Sequence, residues 1–337
     1  MLNNIKPFST TGIGSLPHLN ADEAVDLILN TFDIPFWPQL PMLSFRESMT
    51  LQYAEGMPFL KIDEARQTAW VEPGAGDDLT RFYESYTESS KIAVSEDCAA
   101  GLHAFLRRIK GRRFPFLKGH VTGPITFTLG LKDSSGRYLF FDEEMREISS
   151  MLLKAKIRWQ IDALKQHADN VIIFIDEPIL SALGSSSYLG VDTSEVQRLL
   201  SESVSAIEEA GAIPGIHCCG RADWPAVVQT GVKILNFDAF EYFDTLVMYE
   251  KELAEFMSGG GYLAFGIVPT SDSIAVVTED SLLSLMLDEL NRLGNVVKDT
   301  EAANRIIITP SCGAGSRSIE EAVKIFQMTI RLREALS

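Results

Sequence analysis

The chain has 337 residues, 46% hydrophobic and 23% charged, the composition of an ordinary globular protein with a sizeable core. A formal net charge of −16 argues against binding to nucleic acid or to anionic membrane surfaces, both of which need a basic face. There is no basic-then-apolar leader pattern, no apolar run of the ~18 residues that a membrane span needs, and no disulfide framework in four cysteines of which two are adjacent, so a cytoplasmic protein is expected.

In chain order, an extended run at 10–15 leads into Asn20-Ala21-Asp22-Glu23, which reads as an N-cap with a glutamate three residues on, and a helix over 21–32. An extended stretch at 34–37 follows, then a helix at 46–55 and a hairpin at 59–71 that interrupts the alternation. Helical patterns at 77–89 and 96–110 precede a strand at 114–120. From there the pairs become regular: helix 142–167 and strand 171–176, then helix 194–210 and strand 213–217. Strand 232–237, helix 245–257, strand 262–267, helix 279–293, strand 305–309 and helix 319–335 complete the chain.

This makes about eight strands alternating with helices and no Pro/Gly/Ser-rich linker, the pattern of a parallel sheet closed into a single (β/α)₈ TIM barrel over residues 1–337. A doubly wound open sheet is the alternative, and no G-x-G-x-x-G follows the first strand to suggest a dinucleotide site. In a barrel the polar residues at strand carboxyl ends converge on one face. Here those are Ser15, Gln39, His120, Asp176, Glu177, His217, Cys219, Asp238 and Cys312, a set rich in ligands and carboxylates.

His217-Cys218-Cys219 ends one strand and Pro310-Ser311-Cys312-Gly313 follows the last. Thiolate and imidazole favour zinc, and three such ligands leave one position for a fourth group or a substrate. Two residues apart on extended chain, His217 and Cys219 point the same way, while Cys218 points elsewhere. Asp238, closing the following strand, is the expected fourth ligand, with Glu241 as the alternative. Cys98 lies in a helical pattern and reads as core; His18, His103 and His167 read as surface or packing residues. Asp176 and Glu177, adjacent at a strand end, could hold an ammonium group or a proton, and a helix-capping role ahead of Pro178 is the competing reading. Gly12-Ile13-Gly14-Ser15 offers backbone N–H groups and a hydroxyl suited to a carboxylate. His120 ends a strand and is a candidate acid.

At these residues the chain resembles the carboxyl-terminal catalytic barrel of cobalamin-independent methionine synthase. The matching stretches are Ile13-Gly14-Ser15 with Pro17, Lys118-Gly119 through Thr122-Gly123-Pro124-Ile125-Thr126, Ile175-Asp176-Glu177-Pro178, His217 with Cys219, and Pro310 with Cys312-Gly313. They occur in the family's order and span nearly the whole chain. The resemblance implies zinc held by His217, Cys219, Asp238 (glutamate in the family) and Cys312. It further implies homocysteine contacted by Ser15 and Asp176, and methyl transfer to its thiol to give methionine.

The chain departs from that pattern in three ways. It has no room for the family's additional amino-terminal barrel. Gly130 stands where the family carries a tryptophan that packs on the folate, and Ile267-Val268-Pro269-Thr270 replaces a segment that supplies a histidine. Transfer from methyltetrahydrofolate needs the leaving nitrogen protonated, whereas a cobalt(I) corrin leaves without a proton. The expected donor is therefore methylcobalamin, carried on a corrinoid protein as in short single-barrel relatives, unless His120 supplies the missing acid and restores the folate. Three alternatives are a coenzyme M-type thiol methyltransferase, a structural-zinc barrel docking a corrinoid protein, and a decarboxylase of the uroporphyrinogen type. The first leaves Asp176 without an ammonium to pair, and the last leaves His217, Cys219 and Cys312 unexplained.

Overall fold

The computed structural model describes residues 2–72, 74, 77–298 and 302–336. Seven strands among them form one all-parallel sheet. In chain order these are β1 (Ser9–Thr10), β4 (Phe114–Thr122), β5 (Ala168–Asp176), β6 (Ile213–Cys218), β7 (Ile234–Phe237), β8 (Tyr262–Val268) and β9 (Ile306–Pro310); β2 (Leu60–Asp63) and β3 (Thr68–Val71) make the expected antiparallel hairpin. The spatial order is β1-β9-β8-β7-β6-β5-β4, so the first and last strands of the sequence are neighbours and the sheet curls.

The two edges of that sheet, β1 and β4, are spanned by the extended segment 34–39. The N–H of Ile34 donates to the carbonyl of Thr10 (3.0 Å) and that of Gln39 to Gly14 (3.0 Å), while the Lys118 N–H donates to the carbonyl of Pro35 (2.8 Å). The sequence pattern anticipates eight strands, and the segment that falls short of regular strand is this one. Pro35 and Pro38 carry no N–H, so a continuous ladder cannot form through it.

Strands buried on both faces read as near-continuous apolar runs, and β5 (VIIFI) and β9 (III) do so. Alternate residues divide between two cores. Ile34, Phe116, Ile172, Phe174, Ile213, Ile234, Tyr262, Ala264 and Ile307 pack together inside the curl, with Ile5 from the amino-terminal segment. Their sequence neighbours, such as Leu117, Ile173, Ile216, Leu235, Phe265 and Ile308, pack outward against the helices. The outer layer includes helices Ala21–Leu29, Glu143–Lys165, Thr193–Glu209, Glu279–Val297 and Ile319–Leu336, all close to the expected ranges. No helix among the described residues is long and apolar enough to cross a membrane.

Two expected helices differ: 46–55 is a 3₁₀ turn, Phe45–Glu47, followed by a four-residue helix, Leu51–Ala54, and 245–257 is misplaced. Two helices occupy that region, Ala239–Val247 and Glu250–Ser258, and the first begins directly after β7 with Asp238 as its N-cap. Two short helices that the pattern does not single out, Pro124–Gly130 and Trp224–Val228, each carry proline in the first turn, where its missing N–H costs nothing.

Candidate metal centre

The parallel register aligns the carboxyl ends of four strands. Thr122 pairs with Asp176, Asp176 with His217, and His217 with Asn236, so these residues form one row across β4 to β7. They keep the inward parity of Phe116, Ile172, Ile213 and Ile234 below them, so the inner face changes from apolar to polar at its top.

His217 is 2% exposed. Its Nδ1 lies 2.5 Å from Oδ1 of Asn236. Nδ2 of the same amide donates to the Ala264 carbonyl and to Oγ1 of Thr309, both at 2.9 Å. A carbonyl can only accept, so the amide orientation is fixed, and Oδ1 must accept a proton from Nδ1. The other ring nitrogen, Nε2, is buried without a hydrogen-bond partner. This arrangement leaves Nε2 as the ring nitrogen that could ligate a metal.

Nε2 has two thiols for company. The donor atoms of His217, Cys219 and Cys312 all lie within 4.8 Å of one another, the one such group of His, Cys, Asp or Glu among the described residues. The three groups compete for protons. The neighbouring Cys312 thiol and then the His217 ring bring the Cys219 thiol down to about 4, and Cys312 is pushed up correspondingly. Burial works against charge on His217, but the Cys219 thiolate and Asp176 outweigh it and raise its pKa. Two sulfurs and one imidazole nitrogen suit a borderline-soft ion such as zinc, which would displace those protons. Cys218 faces away: its Sγ approaches the Gly220 carbonyl (3.8 Å), and burial pushes its thiol up to about 12.

Asp238 and Glu241 stand outside this three-residue group. Asp238 uses Oδ1 to accept the Glu241 N–H (2.9 Å) at the start of the next helix, and burial pushes it up to about 7. Asp238-Ala239-Phe240-Glu241 has the spacing of a capping box, the signal that could have indicated this role. The Glu241 side chain is exposed.

The adjacent acids of β5 have different fates. Glu177 is fully buried, with Oε1 accepting the Ile125 N–H (2.9 Å) and Oε2 accepting both the N–H (2.8 Å) and hydroxyl (2.6 Å) of Thr126. Both of its oxygens are thus engaged at the start of helix Pro124–Gly130, whereas the sequence reading expects Glu177 to bind a substrate. Gly123 makes the approach possible, since a Cβ there would lie 2.1 Å from Oε1 of Glu177. Asp176, by contrast, has Oδ1 buried and unpartnered. Burial pushes it up to about 6, with His217 and Lys118 pulling the other way.

The first strand braces the cysteine loop. Ser15 accepts the Gly315 N–H on Oγ (3.2 Å) and the Ala314 N–H on its carbonyl (2.9 Å), which tethers the segment carrying Cys312. Gly12 and Gly14 are needed for close approach rather than for a turn. A Cβ on Gly12 would meet the Phe36 ring at 2.3 Å, and one on Gly14 would meet the His120 ring at 2.8 Å. His120 is stacked on Trp37 (centroids 3.8 Å apart), and both its ring nitrogens are buried without partners. Burial and then the Lys118 charge hold its pKa well below the ordinary value.

Two residues carry weight here that the sequence reading does not assign. Asn236 is one, and nothing in a buried strand residue announces it. Lys118 is the other: it is fully buried, its Nζ donates to the Ile13 carbonyl (2.5 Å) and sits 4.4 Å from the Phe174 ring centroid, and burial brings it down to about 8.

Neither a protein-family model nor a curated protein matches the chain. Among solved structures, a B12-independent methionine synthase from Shewanella sp. W3-18-1, in complex with selenomethionine, superimposes with a TM-score of 0.62. The two share a fold. The match covers 98% of each chain at 15% identity, so it runs end to end. A Xaa-Pro dipeptidase with bound methionine in the active site reaches a TM-score of only 0.31 at 13% identity, over 74% of this chain and 70% of the other, too loose a fit to carry an argument.

Proposed function

We propose that the chain is a single-domain zinc-dependent methyltransferase that methylates the thiol of homocysteine to give methionine. In this reading the curled sheet is a (β/α)₈ barrel whose irregular second strand is 34–39. The observation that carries the reading is the convergence of Nε2 of His217 and the thiols of Cys219 and Cys312 within 4.8 Å, beside the unpaired carboxylate oxygen of Asp176. Zinc at these three ligands, with Asp238 as the candidate fourth, would supply one thing: a substrate thiol that is deprotonated at neutral pH.

The rest falls to the protein's own groups. Asp176 offers a buried oxygen to the substrate's α-ammonium, and the pairing would favour its ionised form, which burial alone disfavours. Ser15 accepts one hydrogen bond from Gly315, so its own proton is free to meet the substrate carboxylate. The substrate sulfur then attacks the donor's methyl carbon in line. The carbon–sulfur bond forms as the methyl–donor bond breaks, and the electron pair stays with the leaving group.

A corrinoid donor, methylcobalamin free or on a protein, fits this site better than a folate. A cobalt(I) leaving group needs no proton, and burial disfavours the protonated form of His120, the candidate acid from the sequence. A Cβ at position 130 would lie 2.8 Å from Oγ1 of Thr50, so an aromatic side chain there would displace Thr50. Thr270, in place of a histidine, is engaged with Ser311, with hydroxyls 3.2 Å apart.

The test is methionine formation by zinc-loaded protein from homocysteine, with methylcobalamin and methyltetrahydrofolate offered in parallel. Turnover with methylcobalamin alone is expected. Turnover with the folate would overturn the donor assignment, and zinc bound with no turnover from either donor would leave homocysteine methylation without support.

A further inference from the structure

A cavity of about 510 Å³ lies beside the metal centre rather than over it, between the segment that follows β5, helix Thr193–Glu209 and the segment that follows β6. Its size is within the ~300–1,000 Å³ of small-molecule sites. Leu180, Val196, Leu200 and Val227 give it an apolar floor, and each is at most 8% exposed. Ser181, Thr193, Gln197, Asp223 and Tyr249 also line it, and Arg221 is its one basic group.

Arg221 is unusual in this chain. Acidic side chains outnumber basic ones, 46 to 30, and most arginines are paired, for example Arg198 with Glu147, Glu195 and Glu202 and Arg317 with Asp272. Arg221 has no ion pair or side-chain hydrogen bond among the described residues. Asp223, the acid closest in sequence, is committed to capping the helix that begins at Trp224, accepting the Ala226 N–H at 3.2 Å. A guanidinium left without a partner above an apolar floor presents a planar fork of donors suited to a carboxylate or a sulfonate.

We propose that this cavity is a second binding site, for a small organic anion with an apolar body, which packs the body on Val196 and Leu200 and pairs the anionic group with Arg221. The site borders the metal centre without including it. Arg221 is two residues beyond Cys219, and Gly220 packs against Ser181, where a Cβ would lie 2.7 Å from that of Ser181, so an occupant would press on the segment that positions the Cys219 thiol.

The probe is naphthalene-2-carboxylate, with its uncharged carboxamide as control, titrated calorimetrically into the full chain as purified. The acid is expected to bind in the submillimolar range and about fivefold more tightly than the amide. Arg221→Gln, a change at an exposed position, should bring acid and amide to equal affinity. Val196→Trp, which fills the floor, should remove both. Equal affinities in the unmodified protein, or an acid preference that survives Arg221→Gln, would overturn the proposal, as would no binding of either compound. Displacement of the probe by homocysteine would also overturn it, since the cavity would then be an arm of the metal centre. Because binding is read without turnover, failure here leaves the methyl-transfer reading standing, and failure of that reading leaves this one intact.

Discussion

At the amino ends of β5, β6 and β7 the inward residues are Ile172, Ile213 and Ile234; at the carboxyl ends of the same strands they are Asp176, His217 and Asn236. The lower tier is closed and satisfied. Its one hydroxyl, on Tyr262, donates to the Leu2 carbonyl at 3.0 Å. In the upper tier Nε2 of His217, Oδ1 of Asp176 and both ring nitrogens of His120 are buried without partners. Each such atom costs about 1–3 kcal/mol. One end of the sheet thus stabilises the fold, while the other concentrates hydrogen-bonding and ligating groups whose capacity is not met within the sheet.

The sharpest way to break this division is at the cysteine loop. Cys312→Ala should abolish stoichiometric zinc binding and lower methionine formation by about a thousandfold or more, with the far-ultraviolet circular dichroism unchanged. Full turnover in that variant would remove Cys312 from the centre. The complementary experiment is Phe174→Ala in the inner core, expected to cost about 3–5 kcal/mol of stability in denaturant unfolding. Zinc stoichiometry in the folded fraction should remain at one. If zinc is lost in parallel, the two tiers are not separable.

A finer cut lies within the upper tier. Asn236→Ala frees the His217 tautomer and should weaken zinc by about 10–100-fold in competition with a chromogenic chelator. An unchanged affinity would mean that the amide relay does not prepare Nε2. The smallest effect is expected outside both tiers, at Glu289 on helix Glu279–Val297. That side chain is 2% exposed with Oε2 unpartnered, and burial pushes it up to about 8. The folded state therefore holds its proton more tightly than the unfolded chain does. Stability from this group is fully present below about pH 4.5 and is lost as pH rises towards about 8. Glu289→Gln should flatten that decline and raise Tm by about 2–4 °C at pH 8, with no gain at pH 5. An equal gain at both values would show that proton binding at Glu289 is not the cause.

Much of this was legible in the sequence, because period and residue type carry it. The strand at Ile213–Cys218 and the strand before Cys312 were visible as apolar runs, and the side-by-side placement of His217 and Cys219 followed from the two-residue repeat of extended chain. What stayed hidden depends on partners distant in sequence. Nothing local distinguishes Glu177, which caps a helix 51 residues earlier, from Asp176, which faces the cleft. Asn236 gains its role only from Ala264 and Thr309, 28 and 73 residues away. The irregularity of 34–39 was written in its prolines, yet the edges that it spans are defined only by the sheet's circular order.

That order has a consequence for synthesis. In the sheet β1 has a single strand neighbour, β9, and Ser15 bonds to a loop about 300 residues downstream. Segment 34–39 can bond to the Thr10 and Gly14 carbonyls early in synthesis, but β9 and the loop that Ser15 holds, with Cys312, are made only after nearly every other described element. The grouping of His217, Cys219 and Cys312 therefore depends on contacts between residues about 300 positions apart.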